Sequence, residues 1–234
     1  MLPMNLATAI HNIHADRLWW RKVLLGGALV MTVFGAPWPA GLVAERMDNV
    51  RKGFPTPLPP TIDPWGRVII GLFALILDFF FFFLPLLGIS ALFFCVAAGI
   101  AVGPAVGISV QSLGMLFGIT LIAYVILMFA ISIAPVARLR YIEQGSIESA
   151  LSMLPLRSAL DSRRRASYAR ARLHSLPGYL PLLVLAAAAW ASTQVQLPVG
   201  WLITGALVWL ACSAWVYAHL IVAQLYGDAE RHLN

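Results

Sequence analysis

The sequence predicts an all-α, polytopic membrane protein, and three observations carry this prediction. Residues 68–137 contain a single charged residue, Asp78. Hydrophobic residues form 60% of the 234 residues and charged residues only 11%, whereas a soluble domain carries about 25% charge. The charged residues also gather in four blocks, which are 16–22, 45–67, 138–172 and 228–234. Long apolar stretches between charged blocks are typical of a helical membrane bundle.

Between the charged blocks lie charge-poor stretches, and two of them, 68–137 and 173–227, are long enough for two crossings each, because a spanning helix needs about 20 apolar residues. Glycine, proline and glutamine mark a turn within each stretch. The turn residues are Gly99, Gly103, Pro104 and Gly107 in the first stretch, and Gln194, Gln196, Pro198 and Gly200 in the second. We therefore predict about four transmembrane helices, paired as two hairpins, near 68–98, 113–137, 178–197 and 200–226.

The first apolar segment, 23–43, has two interpretations. Residues 23–36 would make a helix of about 20 Å, which is short of the ~30 Å hydrocarbon core, and Pro37 and Pro39 then interrupt it. The segment is either a re-entrant or short membrane segment that returns to the same side, or a full crossing. We favour the re-entrant form because it keeps every Lys and Arg on one side of the membrane.

The distribution of basic residues predicts the topology. The 16 Lys and Arg exceed the 10 Asp and Glu, and in a membrane protein such an excess marks cytoplasmic segments. We expect a single membrane domain over 23–227 in a cell membrane, with both termini cytoplasmic. The predicted cytoplasmic parts are the N-terminal segment 1–22, the basic loop 138–177 and the tail 228–234. The N-terminus lacks a secretory signal pattern, so we expect the first apolar segment to be retained.

The proline-rich stretch 53–67 ends in a helix start. Asp63 is a capping carboxylate, and Pro64 follows at the first helical position, where a missing N–H costs nothing. We interpret the stretch as a rigid interfacial connector.

Asp78 is the leading candidate for a function within the membrane. It lies about ten residues into its predicted helix, roughly 15 Å deep and near the midplane. Helical spacing places it on one face with Gly71, Ala74, Phe82 and Pro85, and small residues allow close helix packing. An acid at this depth is either a proton or cation site or a hydrogen-bonded carboxyl that holds two helices together. The scarcity of other polar residues favours the structural interpretation.

The histidines and cysteines do not form a metal-binding or cofactor-binding pattern. His219, one turn after Trp215, is either a haem or chlorophyll ligand or a hydrogen-bonded core histidine, and we favour the second. His11 and His14 lack further ligands nearby, and Cys95 and Cys212 lie far apart in apolar stretches. We therefore expect neither a metal nor a cofactor.

A cluster of arginines lies in residues 157–172, against one acid, Asp161. Leucines and a tyrosine alternate with them, which predicts a basic amphipathic helix on the membrane surface. A solvated loop is the alternative. The candidate contacts to anionic lipid headgroups are Arg157, Arg163, Arg164, Arg165, Arg170 and Arg172. We expect no nucleic-acid binding, since a membrane-tethered loop meets phospholipid first.

The order of these features resembles the prokaryotic membrane family known as domain of unknown function 4013. Three passages of the chain carry the resemblance. The first is Arg21-Lys22-Val23-Leu24-Leu25-Gly26-Gly27 with Arg51-Lys52-Gly53. The second is Pro57-Leu58-Pro59 with Asp63 and Trp65-Gly66. The third is Ala137-Arg138, Tyr141, Glu143, Gly145-Ser146 and Ala150, followed by Pro177-Gly178-Tyr179 and the C-terminal Gln224-Leu225-Tyr226. The resemblance implies a multi-pass bundle, and since the family has no established activity, no catalytic residues carry over from it.

The sequence contains no catalytic triad, phosphate-binding glycine loop or zinc-protease motif, so we expect a protein without enzymatic activity. The predicted function is a membrane scaffold or accessory subunit of a membrane complex, with membrane lipids and a membrane-protein partner or a second copy as its contacts. The alternative is a small proton- or cation-coupled transporter or channel that uses Asp78.

Overall fold

A computed structural model describes residues 5–60, 63–102, 110–131, 133–194 and 200–233. Every regular element within these ranges is helical, in agreement with the predicted all-α class. The α-helices are α1 (Leu6–His14), α2 (Trp19–Met31), α3 (Pro37–Arg51), α4 (Pro64–Asp78), α5 (Leu84–Val102), α6 (Val110–Ile131), α7 (Ile133–Gln144), α8 (Ile147–Leu151), α9 (Leu154–Leu160), α10 (Ser162–Ser175), α11 (Leu180–Thr193) and α12 (Gly200–Arg231). A π-helical turn, Phe79–Phe83, joins α4 to α5, and a 3₁₀ turn, Leu176–Tyr179, joins α10 to α11.

Three helical segments of the described chain are long and apolar enough to cross a membrane. They are Pro64–Ala98, Ser162–Thr193 and Gly200–Arg231. Helix α6 adds a shorter apolar stretch, Gln111–Leu127. In the first two segments only 18% and 11% of the apolar window is buried within the chain. Their side chains therefore face outward, as expected where the surroundings are lipid or another apolar surface.

The N-terminal apolar segment forms parts of two helices. Helix α2 has 13 residues, about 20 Å of length, and the chain turns at Val33, whose φ is +61°. Helix α3 then begins at Pro37, and both helices pack against α12. Residues 23–43 therefore form parts of two helices joined by a turn, and not one continuous helix.

Helices α3 and α4 make the closest crossing in this region because glycines lie at the contact. A Cβ added to Gly71 would lie 1.7 Å from the Pro37 carbonyl oxygen and 2.5 Å from the Gly41 nitrogen. A Cβ added to Gly41 would lie 2.0 Å from the Arg67 carbonyl oxygen. The backbones approach so closely that only glycine fits at either position.

The buried core lies at the end of the bundle that carries most of the charged residues, which we call the charged end. It is formed mainly by α3, α7, α10 and the second half of α12, and its largest apolar members with almost no exposed surface include Leu42, Met47, Leu139, Leu220 and Ile221. The outer halves of the apolar helices contribute little to this core. The charged end is therefore the packed part of the protein, and it positions the polar side chains described below.

Several helix boundaries differ from the sequence-based ones. Gly99 was expected in a turn, but α5 continues through it to Val102. Gly103, Pro104 and Gly107 lie outside the described residues, as do Gln196 and Pro198. Gln194 follows the last residue of α11, and Gly200 is the first residue of α12. An all-apolar helix such as α5 has no internal signal that would stop it, because one Gly costs only about 1 kcal/mol.

The predicted basic loop 138–177 is helical over most of its length, and it contains most of α7 and all of α8, α9 and α10. The predicted single helix over 157–172 is wrong. Asp161 separates α9 from α10, and its side chain accepts a hydrogen bond from the Arg163 N–H at 3.3 Å, as an N-cap does. The predicted tail 228–234 also continues α12 as far as Arg231.

Candidate functional site

Asp78 forms an ion pair with Arg138. The guanidinium of Arg138 donates from Nε to Oδ1 of Asp78 at 3.1 Å and from Nη2 to Oδ2. Arg138 is 6% exposed. A bidentate pair of this kind neutralises a carboxylate that would otherwise be costly among apolar helices. The pair joins the end of α4 to α7.

The local chain geometry explains why Asp78 can reach Arg138. Asp78 is the last residue of α4, and the π-helical turn Phe79–Phe83 follows immediately. A π turn adds a residue to the helical repeat and so changes the direction in which the following side chains point. Helix α5 therefore continues the apolar span with a different register, while Asp78 stays with the face of α4 that packs on α3 and α7.

His219 lies in α12 with its ring held by two aromatic neighbours. Its Nδ1 lies 2.9 Å from the carbonyl oxygen of Trp215, so Nδ1 carries a proton and donates it. The Trp215 ring lies 4.1 Å from the imidazole between centroids, and Tyr179 meets it edge-on at 5.8 Å. These contacts fix the ring orientation in the way expected of a hydrogen-bonded core histidine.

Asp78 and His219 line the same cavity, which we call the polar cavity. It has a volume of about 160 Å³, enough for several water molecules. Its polar lining consists of Asp78, Arg138, Arg172, Tyr179 and His219, and its apolar lining consists of Val43, Met47, Ile133, Ala134, Pro135 and Val222. Five elements converge there, namely α3, α4, α7, α12 and the segment formed by α10 and the 3₁₀ turn.

The formal charges of the polar cavity do not cancel. Two guanidinium groups and one carboxylate line it, which leaves a surplus of one positive charge. Arg172 is 8% exposed, and its guanidinium lies over the Tyr226 ring at 5.5 Å from the centroid. Aromatic contacts of this kind orient a guanidinium without removing its charge.

A second polar cluster surrounds Glu230, which is 1% exposed. Its carboxylate accepts from Arg164 Nη1 at 2.7 Å and from Arg140 Nη2 at 3.3 Å, and the Tyr168 hydroxyl donates to Oε2. The cluster links α7 and α10 to the end of α12. A buried carboxylate with two guanidiniums and a hydroxyl is well compensated, so we interpret it as structural.

Arg46 forms a third buried group, between α3 and α12. It has no exposed surface, and its Nη2 donates to Gln224 Oε1 at 2.6 Å. The Gln224 amide in turn donates to Asp228 Oδ2 at 2.9 Å. Burial lowers the pKa of Arg46 to about 10, against the opposing effect of Asp228 and Asp16. Arg46 therefore stays charged near neutral pH, and it connects α3 to α12.

The predicted lipid-contact arginines fall into two groups. Four of them are exposed, namely Arg157, Arg163, Arg165 and Arg170. Arg164 instead pairs with Glu230, and Arg172 lines the polar cavity. Two helices present these residues in place of the single amphipathic helix expected, and the tertiary packing turns one side of α10 inward.

The other predicted polar residues lie elsewhere. Asp63 is the N-cap of α4, and its Oδ1 accepts from the Gly66 N–H at 2.9 Å. Gln111, Tyr124 and Gln194 do not line the polar cavity. His14 stacks on Trp19 with 4.3 Å between ring centroids. Within the described ranges, no three His, Cys, Asp or Glu side chains form a group that could hold a metal ion.

Sequence reasoning missed Arg138, Tyr179 and Glu230 as members of polar sites. Arg138 opens the basic block after a long apolar stretch, and its position alone indicated only a membrane boundary. Glu230 carried a weak signal, since it is one of few acids near the C-terminus. Neither position has a local pattern that names its partner, because the partners are 60 or more residues away.

These features define a class. Three long apolar helical segments, two of them with mostly outward-facing side chains, are joined to a packed charged end and indicate a helical membrane protein.

The chain belongs to the family described as Protein of unknown function (DUF4013), whose model matches residues 24–190. This match confirms the resemblance predicted from the sequence. No curated protein and no solved structure matches the chain.

Proposed function

We propose that the protein is a non-enzymatic scaffold or accessory subunit of a membrane complex. In this proposal it crosses a bacterial or archaeal cell membrane four times, with a re-entrant N-terminal arm and both termini in the cytoplasm. The charged end is a rigid platform at the cytoplasmic surface, and the apolar helices carry the docking surfaces.

The ion pair between Asp78 and Arg138 is the observation that carries this proposal. A transport site has to exchange its proton or cation during each cycle. Here the acid is held by a bidentate guanidinium at a junction of helices, an arrangement that suits a structural role. The Glu230 and Arg46 groups follow the same pattern, since each ties two or more helices together.

The outward-facing apolar side chains support docking to a protein partner or to a second copy. Large aromatic residues are among the most exposed in the described chain, including Phe94 at 76%, Trp190 at 71% and Trp201 at 73%. Lipid chains cover such surfaces in part, and large aromatic side chains are also the residues that most often anchor an interface. The exposed arginines of α9 and α10 supply the proposed contacts to anionic headgroups.

Site-specific photo-crosslinking tests the docking surfaces. A photo-reactive residue in place of Phe94 or Trp190 should crosslink in native membranes to one protein at stoichiometric yield, and mild-detergent purification should recover the same protein. The same probe in place of Arg163, which is exposed at the charged end, serves as the control and should not capture it. Crosslinks to lipid alone from both apolar positions would contradict the scaffold role.

A double-mutant cycle on Asp78 and Arg138 tests the structural role of the ion pair. Asp78→Asn should lower the free energy of unfolding in detergent by about 3 kcal/mol, because it leaves the buried guanidinium of Arg138 unpaired. Adding Arg138→Gln should recover about half of this loss, since two neutral amides can hydrogen-bond each other. Additive losses in the two single variants would show that the pair contributes no coupling.

The second candidate function is a small proton- or cation-coupled transporter or channel. The observation that favours it is the shared cavity of Asp78 and His219, two groups able to exchange protons. The same Asp78→Asn variant distinguishes the transporter from the scaffold. A transporter would show proton- or cation-coupled flux in proteoliposomes that Asp78→Asn abolishes, whereas the scaffold proposal predicts no such flux in the unmodified protein.

A further inference from the structure

We propose that the corner between α1 and α2, residues 15–22, binds the phosphate group of an anionic membrane phospholipid. Arg17 and Arg21 are the proposed phosphate contacts, and Trp20 is the proposed anchor in the headgroup layer. This surface is separate from the headgroup contacts proposed for α9 and α10. It requires only that the apolar helices lie in a membrane, so it stands whether the protein is a scaffold or a transporter.

The structure divides the basic residues of the α1–α2 corner into two groups. Lys22 is used within the protein, because its Nζ donates to Asp16 Oδ2 at 2.7 Å and to the Leu58 carbonyl oxygen at 3.0 Å. Arg17 and Arg21 are exposed, and across the described ranges neither side chain pairs with an acid. Three basic residues against one acid therefore leave the corner with two positive charges that face outward.

The groups around these two charges suit a lipid headgroup. The guanidinium of Arg21 lies over the Trp20 ring, 5.1 Å from its centroid, and the ring carries no compensating charge. Trp20 and Leu18 are each 46% exposed. Guanidinium groups bind phosphate oxygens through charge-assisted hydrogen bonds, and exposed tryptophan is typical of the layer between water and hydrocarbon. The corner therefore presents cations and apolar anchors together.

The packing of α2 on α12 places the α1–α2 corner at the level expected for the membrane surface. The Trp19 ring lies 5.7 Å from the Tyr217 ring between centroids, and further along α2 a Cβ added to Gly27 would lie 2.7 Å from the Ser213 backbone. Helix α2 thus leaves the corner toward the first half of α12. That half carries exposed apolar side chains as far as Leu210, and the half beyond it is mostly buried in the charged end.

The proline-rich stretch is fastened to the α1–α2 corner and makes it a fixed surface. The Leu58 N–H donates to Asp16 Oδ2 at 3.1 Å, in addition to the contact between Lys22 and the Leu58 carbonyl. Leu58 itself is 1% exposed, whereas Phe54 and Trp65 on either side of it are 66% and 76% exposed. These aromatic side chains extend the surface suited to the headgroup layer. A rigid corner orders few groups on binding, which favours affinity.

Photo-labelling of the purified full chain tests this proposal. The protein is placed in phosphatidylcholine nanodiscs that contain increasing amounts of phosphatidylglycerol with a photoreactive group on one acyl chain near the glycerol. Peptide mapping should show saturable labelling of residues 15–22, and a phosphatidylcholine probe with the same photoreactive group should not saturate there. The double variant Arg17→Gln/Arg21→Gln should raise the half-saturating amount of phosphatidylglycerol about 25-fold, about fivefold for each arginine.

Two further double variants serve as controls. Arg163→Gln/Arg165→Gln makes the same charge change at two exposed arginines of α10, and it should leave labelling of the α1–α2 corner unchanged. Arg17→Lys/Arg21→Lys keeps both charges and should keep the half-saturating amount within a few-fold of the unmodified protein. All three double variants should keep the unfolding temperature of the unmodified protein, because the substituted side chains are exposed.

Four results would overturn the proposal. They are equal labelling of the corner by the two lipid probes, loss of labelling in excess inorganic phosphate, unchanged labelling in Arg17→Gln/Arg21→Gln, and an equally large loss in Arg17→Lys/Arg21→Lys. Loss in inorganic phosphate would assign the site to a free anion, and the lysine result would show that charge is not the cause. The scaffold role is judged separately by the protein crosslinks from Phe94 and Trp190, so either proposal can fail without the other.

Discussion

Glu230→Gln is expected to destabilise the protein by about 3–5 kcal/mol. The substitution removes the negative charge that two guanidiniums share, Arg164 at 2.7 Å and Arg140 at 3.3 Å. Arg140 is 8% exposed, so it cannot recover hydration without opening the end of the bundle. Arg140 keeps a second pair with Glu143 and Arg164 one with Asp161, but both of these carboxylates are far more exposed than Glu230. Removing the buried carboxylate therefore leaves the buried side of the cluster short of negative charge in a desolvated site. Thermal or denaturant unfolding in detergent measures the loss.

Glu148→Gln is the matched control, since Glu148 is exposed in the first turn of α8. It should change the free energy of unfolding by no more than about 0.5 kcal/mol. Arg164→Gln is a further variant that tests partial loss of the cluster. It removes one of the two guanidiniums, while Arg140 still compensates the charge of the Glu230 carboxylate. Its loss should be smaller than that of Glu230→Gln. Equal stability of Glu230→Gln and Glu148→Gln would show that the cluster contributes nothing.

Gly71→Val is expected to prevent the native packing of α4 on α3. Even a Cβ at Gly71 would lie 1.7 Å from the Pro37 carbonyl oxygen and 2.5 Å from the Gly41 nitrogen. Both contacts are with backbone, so no side-chain rotamer change relieves them and the two helices must separate. We expect a loss of at least about 3 kcal/mol or failure to accumulate as a folded protein. Size-exclusion chromatography and thermal unfolding would report either result.

Gly88 supplies the control for this substitution. It also lies in an apolar helix, but an added Cβ meets no atom within 4 Å. Gly88→Ala should be neutral or stabilising by up to about 1 kcal/mol, because alanine has the higher helix propensity. Gly71→Ala should then destabilise in the same assay. A folded Gly71→Ala protein with the unfolding temperature of Gly88→Ala would mean that α3 and α4 do not cross at these glycines.

The partner of Asp78 shows where sequence reasoning stopped. Its isolation among apolar residues identified it as a residue of structural or functional importance, and the face it shares with Gly71 and Ala74 indicated that it points into the bundle. Ala74 has no exposed surface and Gly71 contacts α3. The guanidinium that neutralises it lies 60 residues further along the chain. Nothing local connects the two positions.

The arginines of α9 and α10 show a second limit of prediction from the sequence. As a sequence they form one basic run, and their spacing predicted one amphipathic helix. Asp161 followed by Ser162 is a local cap signal, and it could have indicated the break between the two helices. Which arginines turn inward could not be read in the same way, because Arg164 and Arg172 are drawn in by Glu230 and by the packing of α10 on α12.

The sequence by itself determined the helical membrane class and the family, since hydrophobicity and local helix signals act over one or two turns of chain. The tertiary structure alone decided that Asp78, His219 and Arg172 meet in one cavity, and that Arg138 and Glu230 complete the polar groups. Charges among apolar helices must be compensated, but the compensating residue comes from whichever helix packs alongside. That choice depends on distances between helices, and these are set by the glycine contacts and by the core at the charged end.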